Sequence, residues 1–202
     1  QHPLDLGAHF VIHSATKALG GHNDLMAGAI AGPKEDYDKL WFTRQAIGTT
    51  LDAYSASLLE RGLKTFHLRA ERMAANAMTL ATWLGEESKI TRLCYAGLAA
   101  DPGHAVARRQ MRNGFGGMMA FDVGQAPEDA KRFVSALRTI VHAVSLGATE
   151  SLICIPYLTT MLYLPHGRRT TFGVAQNTVR LSVGVEPVED LIADLKQALN
   201  HT

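Results

Sequence analysis

The sequence of 202 residues has few cysteines, no long apolar run and almost no excess charge. Its two cysteines, Cys94 and Cys154, lie far apart and lack metal-ligand spacing, which argues against a disulfide framework or a zinc site. A formal net charge of +1 gives no electrostatic reason to expect a nucleic acid or an anionic membrane as partner. No run approaches the roughly 18 apolar residues that span a bilayer. We therefore expect a cytoplasmic protein that binds neither nucleic acid nor membrane.

The first third of the chain contains two strand-like segments and a helical one. Residues 9–13 are mostly apolar, as in a strand buried on both faces, and "LMAGAIAG" (25–32) has the pattern of a second short buried strand. Pro33 and the acidic residues after it predict a helix start, and Gly48 predicts its end. Because the strand-like pattern starts so soon after Gln1, we expect the chain to begin inside a domain.

A long helical pattern over residues 49–87 precedes a second set of strands and helices. Gly62 interrupts this pattern and predicts a bend or a close approach between helices. Strands are expected in "GGMMAFDVG", "HAVSLGAT" and "NTVRLSVGVE", and helices in "GHAVARRQM", "APEDAKRFVSALRTI" and "PVEDLIADLKQALN". This alternation predicts an α/β or α+β second domain. We place the boundary near residue 65, where a long helix would connect two domains.

The segment "HSATKALGGH" (13–22) places a single lysine behind two hydroxyls and before paired glycines. In an extended segment, Ser14 and Thr16 would point the same way and Lys17 the opposite way. Two aligned hydroxyls suit a phosphate, and a lysine beside a phosphate site suggests a pyridoxal phosphate imine. The alternative interpretation is a solvated turn with an exposed lysine.

Arg180 lies in a strand pattern formed by Val179, Leu181 and Val183. A charged residue in apolar surroundings is costly unless it is paired. Its planar guanidinium matches the two oxygens of a carboxylate. The alternative is that Arg180 faces solvent on the polar side of an alternating strand.

Several motifs together resemble the pyridoxal-phosphate enzymes of cysteine and methionine metabolism, which include methionine γ-lyase, the cystathionine lyases and cystathionine γ-synthase. The motifs, in chain order, are "HSATK" with "GGHNDLMAG", "LLERGLKT", "ARRQM" with "FGGMMAFD", "SLGATESLI" and "VRLSVGVEPVEDLIADLKQAL". They cover nearly the whole chain at compatible spacing. The resemblance implies an α/β, fold-type I pyridoxal-phosphate enzyme, represented here by its carboxyl-terminal half.

The resemblance also implies roles for individual residues. Lys17 matches the lysine that carries the cofactor and then moves a proton, and Ser14 and Thr16 match the phosphate-binding hydroxyls. Arg180 matches the arginine that binds the substrate carboxylate, with Ser145 beside it. The acid that pairs with the pyridine nitrogen and the tyrosine stacked on the ring are expected before Gln1.

The resemblance further implies the domain organisation and the assembly. Residues 1–65 would be the carboxyl-terminal part of the large cofactor domain, and residues 66–202 the small C-terminal domain. Related enzymes borrow phosphate ligands from a neighbouring subunit, which implies a homotetramer built as a dimer of dimers. Complete activity would then need the missing amino-terminal half.

The identity of the residue at position 144, Val144, indicates which substrate to expect. Relatives that handle cystathionine often carry a glutamate just before "SLG", whereas methionine γ-lyases are typically apolar there. We therefore expect γ-elimination from methionine or a similar thioether. Ala18 and Met161 replace the aromatic residue and the histidine that the family usually has. Cystathionine γ-synthase or γ-lyase activity is the alternative, and a non-catalytic fragment or assembly subunit is an alternative of another class.

Overall fold

The computed structural model describes the backbone of residues 1–202 and all side chains apart from those at positions 166 and 170. The chain forms two compact units, Gln1–His67 and Leu68–Thr202, called unit 1 and unit 2 below. Within the described chain, none of the helices is long and apolar enough to cross a membrane.

Unit 1 consists of an antiparallel hairpin followed by two helices. Its elements are β1 (Val11–Ser14), β2 (Gly28–Ala31), α1 (Tyr37–Ile47) and α2 (Ala53–Lys64), with 3₁₀ turns at Pro3–Leu6 and Lys34–Asp36. Gly48 ends α1 with φ +74°, which confirms the predicted stop, since glycine adopts this left-handed conformation without strain. Asp52 caps α2 by accepting the N–H of Ser55 at 2.9 Å.

The expectation that both strands of unit 1 are buried is wrong for the described chain. Ile12 is 76% exposed, and its register partner Ile30 is 55% exposed. The strands β1 and β2 pair with each other, and no third strand flanks them among the described residues. A two-stranded hairpin has too little area to bury both of its faces. Apolar composition therefore did not predict burial within the described chain.

Unit 2 is built on a five-stranded sheet. Its helices are α3 (Phe66–Leu84, beginning just before the unit boundary), α4 (His104–Gln110), α5 (Pro127–Ala136), α6 (His166–Arg169) and α7 (Val188–Leu199), with 3₁₀ turns at Pro156–Leu158 and Thr170–Phe172. The strands are β3 (Ile90–Cys94), β4 (Met118–Val123), β5 (Val141–His142), β6 (Leu152–Cys154) and β7 (Thr178–Ser182). The spatial order is β3-β4-β7-β6-β5, and only the pair β5–β6 is parallel.

One face of this sheet forms a hydrophobic core. Val179 and Leu181 of β7 are fully buried, as the alternation around Arg180 predicts. They belong to one cluster with Phe121 of β4, Leu80 of α3 and Leu195 of α7. The opposite face of β7 is left for polar side chains, which include Arg180.

Two expectations about secondary structure are corrected. The long helical pattern is two helices, because α2 ends at Lys64 and α3 begins at Phe66, with Thr65 between them closing a turn onto the carbonyl of Gly62. The segment "HAVSLGAT" is mostly a loop, since β5 ends at His142. Gly147 in this loop has φ +75°, a left-handed conformation that no regular strand contains.

Candidate active site

The turn that carries Lys17 directly follows β1. The Lys17 N–H donates to the Ser14 carbonyl at 3.1 Å, and the Lys17 carbonyl accepts the N–H of Gly21 at 2.8 Å. The N–H of Gly20 donates to the carbonyl of Ala15 at 2.9 Å. Three backbone hydrogen bonds therefore fix the lysine in a compact turn at the end of a strand.

Thr16 fastens this turn to the start of β2. Its Oγ1 accepts the N–H of Ala27 at 3.0 Å, and its own N–H donates to the Ala27 carbonyl at 3.2 Å. The hydroxyl hydrogen has only a long contact to that carbonyl, at 3.4 Å, so it can turn to an anion instead. Ser14 is exposed at the end of β1. The expected alternation of Ser14, Thr16 and Lys17 is wrong because β1 ends at Ser14 and the next residues turn.

Gly62 allows helix α2 to pack against the turn, and Gly20 allows the turn itself to close. A Cβ added at the buried Gly62 would overlap the carbonyl oxygen of Gly20. A Cβ added at Gly20 would lie 2.9 Å from the carbonyl of Ala15 and 3.1 Å from the side chain of Leu25. Gly62 therefore marks the close approach of a helix to the lysine turn, rather than to another helix as expected.

The side chains around Lys17 are partly covered. Lys17 and Ala18 are half-buried, whereas His13 and His22 are exposed. The Nδ1 of His22 lies 2.8 Å from the carbonyl of Gly20, which gives His22 a local role in closing the turn. Unit 1 thus presents a half-buried amine close in sequence to two hydroxyls, an arrangement that can bind an anionic carbonyl compound covalently.

Arg180 of unit 2 is held by one loop and has an unused donor. Its Nη2 donates to the carbonyl of Val144 at 2.7 Å and to that of Ser145 at 3.2 Å. Its Nε is buried and has no hydrogen-bond partner among the described residues. A buried donor without a partner is costly, and a carboxylate is the group that a guanidinium fits best.

The loop between β5 and β6 is fastened by residues that sequence reasoning missed. Ser182 Oγ accepts the N–H of Gly147 at 2.8 Å, and Ser151 Oγ donates to Glu186 Oε2 at 2.9 Å. Ser151 Oγ also accepts the N–H of Gly184 at 2.9 Å. The one available signal was the position of Ser182, two residues after Arg180 and therefore on the same face of a strand.

The remaining residues named from the sequence have mixed environments. Val144 is 55% exposed, although its carbonyl contacts Arg180. Met161 is buried, and its N–H donates to the Pro156 carbonyl at 2.9 Å. Cys154 is buried opposite Arg180 in the β6–β7 register. Across the part of the chain that the structure describes, no cluster of three or more His, Cys, Asp or Glu could hold a metal ion.

Comparison with known proteins gives one consistent result. The sequence profile described as "Cys/Met metabolism PLP-dependent enzyme" matches residues 1–200. Cystathionine γ-lyase of Dictyostelium discoideum is 39% identical over 99% of this chain and 52% of its own length. L-methionine γ-lyase of Pseudomonas putida is 42% identical over 98% of this chain and 50% of its own length. The chain spans about half the length of the curated relatives it matches.

A solved structure agrees with these sequence matches. Cystathionine γ-synthase of Xanthomonas oryzae pv. oryzae, solved in complex with aminoacrylate and cysteine, is 37% identical, with a TM-score of 0.95. The match covers 100% of this chain and 52% of that structure. At this identity and score, the resemblance of fold that the sequence motifs implied is confirmed, including the fold-type I class.

Proposed function

Since the chain belongs to the Cys/Met metabolism PLP-dependent enzyme family, we propose that the polypeptide containing it is a carbon–sulfur lyase that acts on a thioether amino acid by γ-elimination. With methionine and water, the products are methanethiol, 2-oxobutanoate and ammonia. The observation that carries the choice of substrate is Val144, an exposed apolar side chain whose own carbonyl contacts Arg180.

The residues of unit 1 fit pyridoxal phosphate. The Lys17 amine would hold the cofactor covalently, and the hydroxyls of Ser14 and Thr16 would donate to its phosphate. The Thr16 hydroxyl supports this role because it accepts the N–H of Ala27, and an anion could replace the long contact of its hydrogen to the Ala27 carbonyl. When bound, the cofactor supplies an electron sink for the negative charge that develops at the substrate α-carbon.

In the proposed reaction, the chain's own residues bind the substrate and move its protons. Arg180 binds the α-carboxylate and thereby fixes the orientation of the bonds at the α-carbon. Ser145, whose carbonyl contacts Arg180, lines the same carboxylate site. Lys17 Nζ, as a free amine, would take the α-proton and then a proton from the β-carbon, so that the electron pair left at the β-carbon expels the sulfur group from the γ-carbon. The departing sulfur takes up a proton and leaves as the thiol.

Val144 supports the thioether preference because its side chain is uncharged and lies next to the proposed carboxylate site. The distal end of cystathionine carries an ammonium and a carboxylate, whereas methionine ends in an uncharged methylthio group. A valine beside the carboxylate site cannot pair with the distal ammonium of cystathionine. Its apolar side chain can instead contact the uncharged methylthio group of methionine. The relatives above include lyases and a synthase at 37–42% identity, so overall similarity does not separate these substrates.

The domain assignment and the assembly are part of the same proposal. We assign residues 1–65 to the large cofactor domain and residues 66–202 to the small C-terminal domain of a homotetramer. A cytoplasmic location stays a prediction. The second candidate function is cystathionine γ-lyase or γ-synthase activity, which the similarity to the Dictyostelium and Xanthomonas proteins favours.

The experiment compares Val144→Glu with the wild-type, full-length enzyme loaded with pyridoxal phosphate. Wild-type enzyme should release methanethiol and 2-oxobutanoate from methionine alone. Val144→Glu should shift the ratio of kcat/KM for cystathionine over methionine upward by about 10-fold, because a carboxylate now meets the distal ammonium. Val141→Glu is the matched control, since Val141 is 49% exposed and lies on β5.

Two outcomes would contradict the proposal. If methionine stays inert while an acylated homoserine and cysteine give cystathionine, the enzyme is a γ-synthase. If no sulfur amino acid reacts and the purified full-length protein lacks the visible absorption of the cofactor, the chain belongs to a non-catalytic subunit.

A further inference from the structure

The polar face of β7 carries three side chains that alternate with the buried core residues. Thr178, Arg180 and Ser182 share this face because successive side chains of a strand point to opposite sides. Thr178 Oγ1 donates to Asp122, a buried carboxylate of β4. Arg180 and Ser182 instead contact the loop between β5 and β6.

Arg180 and Ser182 hold this loop at two points close together. Arg180 Nη2 binds the carbonyls of Val144 and Ser145, and Ser182 Oγ accepts the N–H of Gly147. The two contact points are therefore two to three residues apart along the loop and two residues apart along the strand. A shift of the loop at Gly147 would also move the carbonyls of Val144 and Ser145. Because these carbonyls accept hydrogen bonds from Arg180, the orientation of its guanidinium would change as well.

The bond to Ser182 is difficult for water to replace. Ser182 is 2% exposed and Gly147 is half-buried, so a missing hydroxyl would leave the Gly147 N–H without its acceptor on the side that faces the strand. The rest of the loop has separate fastenings, because Ser151 binds Glu186 and Gly184. Loss of the Ser182 hydroxyl should therefore loosen the loop near Gly147 without unfolding unit 2.

We propose that Ser182 is a positioning residue for Arg180: its hydroxyl fixes the loop whose carbonyls orient the guanidinium for the carboxylate of the substrate. This inference rests on the proposed role of Arg180 in carboxylate binding. It does not depend on which sulfur amino acid the enzyme cuts. Ser182 acts through the loop and touches neither substrate nor reacting atoms.

The test measures carboxylate recognition separately from the sulfur chemistry. L-Alanine and ethylamine differ only in the carboxylate, and the binding of each to the full-length holoenzyme is followed by the absorption of the cofactor. Ser182→Ala should weaken binding of L-alanine by about 10-fold and change that of ethylamine by less than about 2-fold. Ser182→Thr keeps the hydroxyl and should restore most of the affinity for L-alanine.

Thr178→Val provides the matched control. It removes a buried hydroxyl from the same face of β7, two residues to the other side of Arg180, where the hydroxyl serves Asp122 and not the loop. Its affinity for L-alanine should stay within about 2-fold of wild type. Hydrogen exchange of a peptide covering residues 143–150 should be faster in Ser182→Ala and unchanged in Thr178→Val.

The outcomes separate this inference from the proposed function. If Arg180→Lys binds L-alanine as tightly as wild type, the carboxylate role of Arg180 is wrong, and the inference falls with it. If Arg180→Lys weakens binding but Ser182→Ala does not, or if Ser182→Ala and Thr178→Val weaken it equally, the positioning role of Ser182 is overturned while the proposed function stands.

Discussion

Unit 1 and unit 2 hold their candidate site residues in different ways. In unit 2, Arg180 lies on a strand whose other face belongs to a hydrophobic core that includes Phe121, Leu181 and Leu195. In unit 1, Ala15 and Leu25 are the only buried hydrophobic residues among those that the structure describes. The lysine turn is held by backbone hydrogen bonds and by the close approach of Gly62 in α2 to the Gly20 carbonyl.

This difference indicates where the stability of the described chain resides. Burial of apolar side chains is the dominant favourable contribution to folding, and unit 2 contains nearly all of it. Unit 1 instead leaves large apolar residues exposed, among them Phe42 at 70%. The arginine is thus placed by a well-packed scaffold, whereas the lysine is placed by local geometry.

The largest effect should come from opening the core of unit 2. Phe121 is fully buried and packs edge-on against Phe133, with ring centroids 6.1 Å apart. Phe121→Ala should lower the free energy of unfolding by about 3–5 kcal/mol. In the polypeptide of residues 1–202, Phe42→Ala, the same change in unit 1, should stay within about 0.5 kcal/mol because Phe42 is 70% exposed there. Urea denaturation followed by circular dichroism measures both, and equal losses would contradict the contrast between the units.

The same contrast explains what could be predicted from the sequence. The strand around Arg180 and the closing helix α7 were predictable because their apolar residues recur with the period of the element that buries them. The strands of unit 1 are exposed within the described chain although they were expected to be buried, because local apolar composition does not show what packs against a strand. Periodicity also could not show the break at Thr65, since helical spacing continues across it.

For the candidate site, the sequence predicted which residues take part but not the contacts that hold them in place. Lys17 and Arg180 were selected by motif and by chemistry, and their assigned roles stay proposals. Ser182 was missed because a serine in an alternating strand has an ordinary polar position. Its proposed positioning role depends on a hydrogen bond from the N–H of Gly147, 35 residues away in sequence. Contacts of this kind are set by the tertiary fold.

An effect of intermediate size on stability is expected at Gly62, where the packing of unit 1 requires a residue without a side chain. In an exposed helix interior, Gly→Ala stabilises by up to about 1 kcal/mol. Gly62→Ala should instead destabilise unit 1 by about 1–3 kcal/mol, because the new methyl overlaps the Gly20 carbonyl and displaces the lysine turn. Ser57→Ala, at an exposed position of the same helix, is the control.

Two quantities are measured for Gly62→Ala: the free energy of unfolding and the amount of bound cofactor. Displacement of the turn should reduce the pyridoxal phosphate retained by the full-length protein after dialysis, while Ser57→Ala retains it. A stabilised Gly62→Ala protein with full cofactor content would show that the approach of α2 does not fix the turn.

The smallest effect on stability is expected at Asp52 in unit 1 and Asp194 in unit 2, two carboxylates that accept hydrogen bonds from backbone N–H groups. Burial opposes the ionised form of Asp194, but the N–H groups of Ile140, Arg138 and Thr139 hold the pKa of this carboxyl below its ordinary value. Hydrogen bonds from Ser55 likewise lower the pKa of Asp52, at the exposed start of α2. A lowered pKa in the folded state means that each group stabilises the fold above its unfolded pKa of about 3.9.

That stabilisation should be lost as the pH falls through the lower, folded pKa. Asp194→Asn puts an amide where three N–H groups need an acceptor, so it should cost about 1–2 kcal/mol at pH 7 and flatten the acid limb of the stability curve. Asp52→Asn should change both quantities less, because asparagine is also a good helix cap and the site is exposed to water. Urea midpoints measured from pH 7 down to pH 3 test this order, and a larger acid effect at Asp52 would reverse the contrast between the buried and the exposed carboxylate.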